Sequence, residues 1–106
     1  MTVESVVSEW QARLVADPGL SAQIGLRFNL IVRGAPSLTW HFDCHARPVE
    51  ISMGPQEAAF EIEFDPQDLQ DIAAGKLNPQ QAYAQGRIGL RGEIDQALRL
   101  YELLGF

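Results

Sequence analysis

The chain of 106 residues predicts an α+β domain in two layers: a five-stranded, mainly antiparallel sheet with one face covered by helices. Three observations predict it. The opening residues carry one apolar stripe at helical spacing. Residues from about 26 to 64 alternate apolar and polar in four short runs. The stretch AAGKLNPQQAYAQGRIGLRG, residues 73–92, stops a helix at Gly75, restarts one at Asn78, and stops again at Gly86 before a fifth strand.

In the opening segment, Thr2 suits a helix N-cap and Glu4 its first turn. Val3, Val6, Val7, Trp10 and Leu14 share one face, and Asp17-Pro18-Gly19 is expected to end the helix. The period then changes to two. Phe28, Leu30 and Val32 alternate with Arg27, Asn29 and Arg33, with Ile31 out of pattern, and Gly34-Ala35-Pro36-Ser37 reads as a turn. Leu38, Trp40, Phe42 and Cys44 alternate with Thr39, His41, Asp43 and His45. Val49, Ile51 and Met53 follow, and after Gly54-Pro55 come Phe60, Ile62 and Phe64 against Glu61 and Glu63. Such alternation predicts a sheet with one apolar face and one wet face.

Asp65-Pro66 opens a helix with Leu69, Ile72 and Ala73 on its buried side, and Gly75 suits its left-handed end. Asn78-Pro79 repeats the start signal, with Gln81 placed as in a capping box. These two short helices carry the chain across the apolar face and back as strand five, Ile88 and Leu90 alternating with Arg87 and Arg91. Gly86 and Gly92 mark the strand's ends, while Gly89 marks either a bulge or a close backbone approach. A last helix is expected over about Ile94 to Leu104, ending at Gly105. Its stripe of Ile94, Ala97, Leu98, Tyr101 and Leu104, widened by Leu100 and Leu103, is broader than one sheet contact needs.

Composition narrows the function. Net charge of −6, with a single lysine and no run of arginines, argues against nucleic acid, which needs a dense cationic patch. One cysteine rules out an internal disulfide. No segment reads as a signal peptide or a membrane-spanning run, so the expected location is cytoplasmic. The cluster His41-x-Asp43-Cys44-His45 is the strongest candidate for metal or catalysis. On a strand, however, His41 and His45 stand roughly 13 Å apart, and Cys44 points to the other face. The expected reading is a solvated strand face with a buried thiol and no metal. The serines lack an elbow motif, and the glycines at 86, 89 and 92 do not have dinucleotide spacing. No enzyme activity and no cofactor are expected.

Residues 73–104 resemble the C-terminal half of the sterol carrier protein type 2 domain family. The resemblance rests on Gly75, Lys76, Leu77, Asn78, Pro79, Ala82, Gly86, Gly92, Ala97 and Leu98. Gly89 departs from it, standing where the family's fifth strand usually carries a polar or basic residue. The length allows one domain over residues 1–106, the elements read in the order α-β(3)-crossover-β-α-α-β-α, and the resemblance implies an apolar tunnel between sheet and helices.

It also implies a non-catalytic carrier of a fatty acid, acyl-CoA, phospholipid or similar apolar ligand. Trp10, Phe28, Leu30, Trp40, Phe42, Phe60, Ile62, Phe64, Leu98, Leu100, Tyr101 and Leu103 would line the tunnel. Arg33 and Arg91, near strand ends, are the guesses for a headgroup anchor. The alternative is an accessory module that docks on an enzyme, or on a second copy, through its apolar last helix.

Overall fold

The computed structural model describes residues 2–34, 36–46, 48–92 and 100. Helix α1 (Val3–Ala16) begins as its residues predict. The Thr2 side chain accepts from the Ser5 backbone N–H, and Ser5 returns the bond in a reciprocal capping box. Asp17-Pro18 does more than end it. The Asp17 carboxylate accepts from the Leu20 N–H and starts a second helix, α2 (Pro18–Ile24), which closes on Gly25 in the left-handed region. This helix was not expected, although its start signal is the one that also opens α3 (Pro66–Ala73) and α4 (Pro79–Ala84).

The strands are β1 (Arg27–Val32), β2 (Leu38–Asp43), β3 (Glu50–Met53), β4 (Phe60–Phe64) and β5 (Ile88–Gly92). They lie side by side in the order β3-β2-β1-β4-β5. Only β1 and β4 run parallel, and the other three pairings are antiparallel. Mainly antiparallel pairing and the two-layer α+β build are therefore as expected. The parallel pair requires a crossing from β3, at one edge, to β4, beyond β1.

Register builds the core. Phe28 stands opposite Phe42 on one side and Phe60 on the other. Their rings stack at centroid distances of 4.7 and 5.2 Å across three adjacent strands. Val6, Val7, Trp10 and Leu14 of α1, with Leu69 and Ile72 of α3, close over this layer. Stacking identical rings over a helix stripe is what alternation in β1, β2 and β4 demands once the strands are in register.

Two glycines need their freedom. Gly75, at φ +76°, ends α3 in the left-handed conformation that was expected. Gly92, at φ +90°, lies so close to β4 that a Cβ would stand 2.5 Å from the Ala59 carbonyl oxygen. Gly89 is neither bulged nor pressed against backbone. It pairs in register with Glu63, and a Cβ there would meet the Glu63 carboxylate at 3.3 Å and the Arg33 guanidinium at 3.5 Å.

The Arg87 side chain leaves the sheet altogether. Its Nη2 and Nε donate to Asp68 of α3 at 2.6 and 3.3 Å, tying the start of β5 to the crossing helix. That bond raises the arginine's pKa above its ordinary value, and Asp68 stays buried.

Candidate functional site

Of the residues expected to line a tunnel, Trp10, Phe28, Leu30, Trp40, Phe42, Phe60, Ile62, Phe64 and Leu100 are all buried in one apolar cluster. Leu98, Tyr101 and Leu103, with the rest of the expected last helix, lie outside the described residues. The cluster also takes in Leu20 and Ile24 of α2, which periodicity over so short a segment did not reveal.

The apolar layer has a pocket at one end. A pocket of about 400 Å³ lies between the start of α1, the β1–β2 turn and the start of α3. Its apolar wall comes from Val3, Val32 and Leu38, and Pro66 and Gln70 close the α3 side. Val32 belongs to the buried core, and Val3 and Leu38 pack against that core, so the pocket borders the layer beneath.

Arg33 stands at this mouth. Its Nε lies 3.6 Å from Glu63 and its Nη1 3.4 Å from Asp65. The Asp65 side chain makes no capping bond to α3, contrary to its expected role, and faces Arg33 instead. Arg91 is exposed and opposite Glu61 on β4, away from this pocket.

The opposite sheet face departs most from expectation. His41 was expected to be solvated, yet it is only 4% exposed, and Asn29 beside it is 2% exposed. They are opposite one another in register, and Ser52 of β3 lies on the other side of His41. The connection from β3 to β4 covers them. Asn29 Nδ2 donates to the Gln56 carbonyl at 2.8 Å and to Glu61 at 3.2 Å, and Gln56 Nε2 donates to Ser52 Oγ at 2.7 Å.

Because Asn29 Nδ2 donates twice, Asn29 Oδ1 is the acceptor for His41 Nδ1–H at 2.8 Å. Burial lowers the His41 pKa below the ordinary value; nearby Asp43 opposes this and Arg27 adds to it. The imidazole is therefore neutral at pH 7, with Nδ1 as donor and Nε2 as acceptor.

The strand ends at Asp43, so His45 lies in the following turn, exposed, and Cys44 is buried on the apolar side. The Asp43 carboxylate accepts from the His45 backbone N–H at 2.9 Å and from Arg27 Nε at 3.2 Å. Among the described residues, no group of three or more His, Cys, Asp or Glu could hold a metal ion. None of the described helices is long and apolar enough to cross a membrane.

A sheet covered on one side by helices, with a pocket at one end of the apolar layer, is the build of a domain that takes an apolar ligand. The chain belongs to the SCP-2 sterol transfer family, whose model matches residues 9–105. A non-specific lipid-transfer protein-like 1 from Caenorhabditis elegans is 31% identical over 111 residues, covering 93% of this chain and 86% of that protein.

Among solved structures, the palmitated SCP2L2 of Aedes aegypti, from solution NMR, has a TM-score of 0.85 at 24% identity. It covers 100% of this chain and 96% of its own. The crystal structure of Sterol Carrier Protein 2 Like 2 from Aedes aegypti gives 0.83 at 24% identity, covering 94% of each chain. At these identities the structural likeness establishes the fold.

Proposed function

We propose that the chain is a non-catalytic carrier that holds the tail of a fatty acid, acyl-CoA or phospholipid between its sheet and helices. The observation that carries this reading is the pocket walled by Val3, Val32 and Leu38, open at the surface and bordering the apolar layer. Membership of a sterol transfer family supports it, as does the palmitated state of the Aedes aegypti SCP2L2.

In this reading the tail contacts the layer built from Trp10, Phe28, Leu30, Trp40, Phe42, Phe60, Ile62, Phe64 and Leu100. Leu98, Tyr101 and Leu103 are proposed to complete the wall. Arg33 is the proposed partner of an anionic headgroup, exchanging Asp65 for the ligand's carboxylate or phosphate. The carrier is proposed to work in the cytoplasm, a location that single-cysteine usage favours.

The energetics permit it. Each buried CH₂ contributes about 0.8 kcal/mol, so a tail of roughly a dozen carbons gains on the order of 10 kcal/mol before costs. Ordering and association consume part of that, which leaves micromolar affinity.

The test is native mass spectrometry of freshly purified protein, followed by titration of delipidated protein with a fluorescent fatty acid. Leu38→Trp, which fills the mouth, is expected to leave the fold intact and weaken binding by about tenfold, or roughly 1.4 kcal/mol. Analytical ultracentrifugation of the same samples establishes whether the carrier is a monomer or a homodimer. Absence of binding by the delipidated parent at micromolar fatty acid overturns the proposal.

A further inference from the structure

The buried imidazole on the outer sheet face belongs to a second pocket, of about 570 Å³, at the free edge of β3. It is separate from the apolar mouth, with which it shares no lining residue. His41 contributes to its wall, and the single hydrogen bond of that ring with described residues is the one from Nδ1 to Asn29. Among the described residues Nε2 has no hydrogen-bond partner, on a side chain that is only 4% exposed.

The other charged groups around this pocket are three carboxylates, Asp43, Glu50 and Glu57, and one arginine, Arg27. Arg27 Nε and the Asp43 carboxylate are already engaged with each other. Glu50 and Glu57 are exposed at the rim, so the pocket is net negative and rich in acceptors. Val49 and Ile51 border the pocket from the other side of the β3 edge, where Val49 joins the core and Ile51 pairs with Phe42.

We propose that this pocket binds a protonated primary amine carried on a short alkyl chain. An ammonium group has three N–H donors and no acceptor. One donor reaches His41 Nε2, and the charge is met by Glu50 and Glu57. An anion is repelled by the carboxylates, and a neutral alcohol forfeits the charge.

The probe is n-butylammonium, titrated into the full chain while the His41 ring nitrogens are followed by ¹⁵N NMR. A saturable shift at Nε2 is expected, with Nδ1 staying protonated and bonded to Asn29. The double variant Glu50→Gln, Glu57→Gln removes two exposed rim charges and is expected to weaken binding about three- to tenfold. Its fatty-acid binding should be unchanged, which separates this site from the carrier site.

Tetramethylammonium keeps the charge but has no N–H donor, and it should bind more weakly than n-butylammonium. A lysine side chain carries the same group, so Nα-acetyl-lysine N-methylamide is tested alongside. Tighter binding of that compound assigns the site to a polypeptide lysine, and equal or weaker binding assigns it to a free amine; either ranking supports ammonium recognition. The inference is overturned if n-butylammonium gives no saturable shift, if the double variant binds it equally well, or if tetramethylammonium matches it.

Discussion

Phe28 and Asn29 are adjacent in β1, point to opposite faces of one sheet, and are both buried, at 0% and 2% exposure. Phe28 is shielded by rings from β2 and β4 under the helices. Asn29 is shielded by a loop that it holds in place itself, through Gln56, with His41 and Glu61 completing its bonds. The first arrangement gains from removing apolar surface from water. The second gains little net, because each polar group has only exchanged water for another partner, but it becomes costly when one partner is lost. An apolar face and a dry face are different properties, and this sheet has one that is both and one that is dry only in its middle.

The most severe way to break the comparison is Phe28→Ala. It removes the ring shared by both stacks and leaves a cavity at a site with 0% exposure. A loss of about 3–5 kcal/mol is expected, read from the midpoint of chemical denaturation. A loss near 1 kcal/mol would mean that the neighbouring side chains collapse into the space.

Asn29→Ala tests the other face and should have a smaller effect. It strips the partner from His41 Nδ1–H and from the Gln56 carbonyl, and frees the β3–β4 connection. The expected cost is about 1–3 kcal/mol. Hydrogen exchange around residues 54–59 should quicken while that of α1 stays unchanged. If exchange is uniform across the chain, the loop is held by something other than this side chain.

The contrast explains what could be read from sequence. Period-two alternation in β1, β2 and β4 located Phe28, Phe42 and Phe60 because the apolar face is a property of each strand separately. The burial of His41 depends on a crossing loop more than ten residues away, and only topology decides where that loop runs. A polar residue on an outward face looks the same whether water or a loop covers it.

The second helix was legible in principle. Asp17-Pro18 repeats the start signal of Asp65-Pro66 and Asn78-Pro79, but Gly19 beside it gave the opposite cue. Gly89 was not legible, because the space above it is taken by Arg33 and Glu63, side chains that meet only once β1, β4 and β5 are in register. The mouth of the apolar layer is hidden for the same reason. Val3, Val32 and Leu38 come from three elements, and sequence patterning gives the same residues to a filled core and to a pocket wall.

The subtlest test uses pH. Burial holds the His41 imidazole below its ordinary pKa, so the unfolded chain takes up this proton more readily than the folded one. Stability from the neutral ring is fully present above the ordinary histidine value of about 6.5 and is lost as pH falls through the folded-state value. For Asp43, desolvation works against ionisation but is outweighed by hydrogen bonds from the His45 backbone and Arg27, which hold the carboxyl below its ordinary range. Its contribution is lost only in a more acid window, as pH falls through that depressed value.

Denaturation midpoints taken from about pH 7.5 down to about pH 5 should therefore decline in the native chain, and His41→Gln should remove that part of the slope while leaving the acid limb of Asp43 in place. A slope that survives His41→Gln unchanged would mean that the ring is not held neutral by burial, and the outer face would then be as wet as its alternation alone implies.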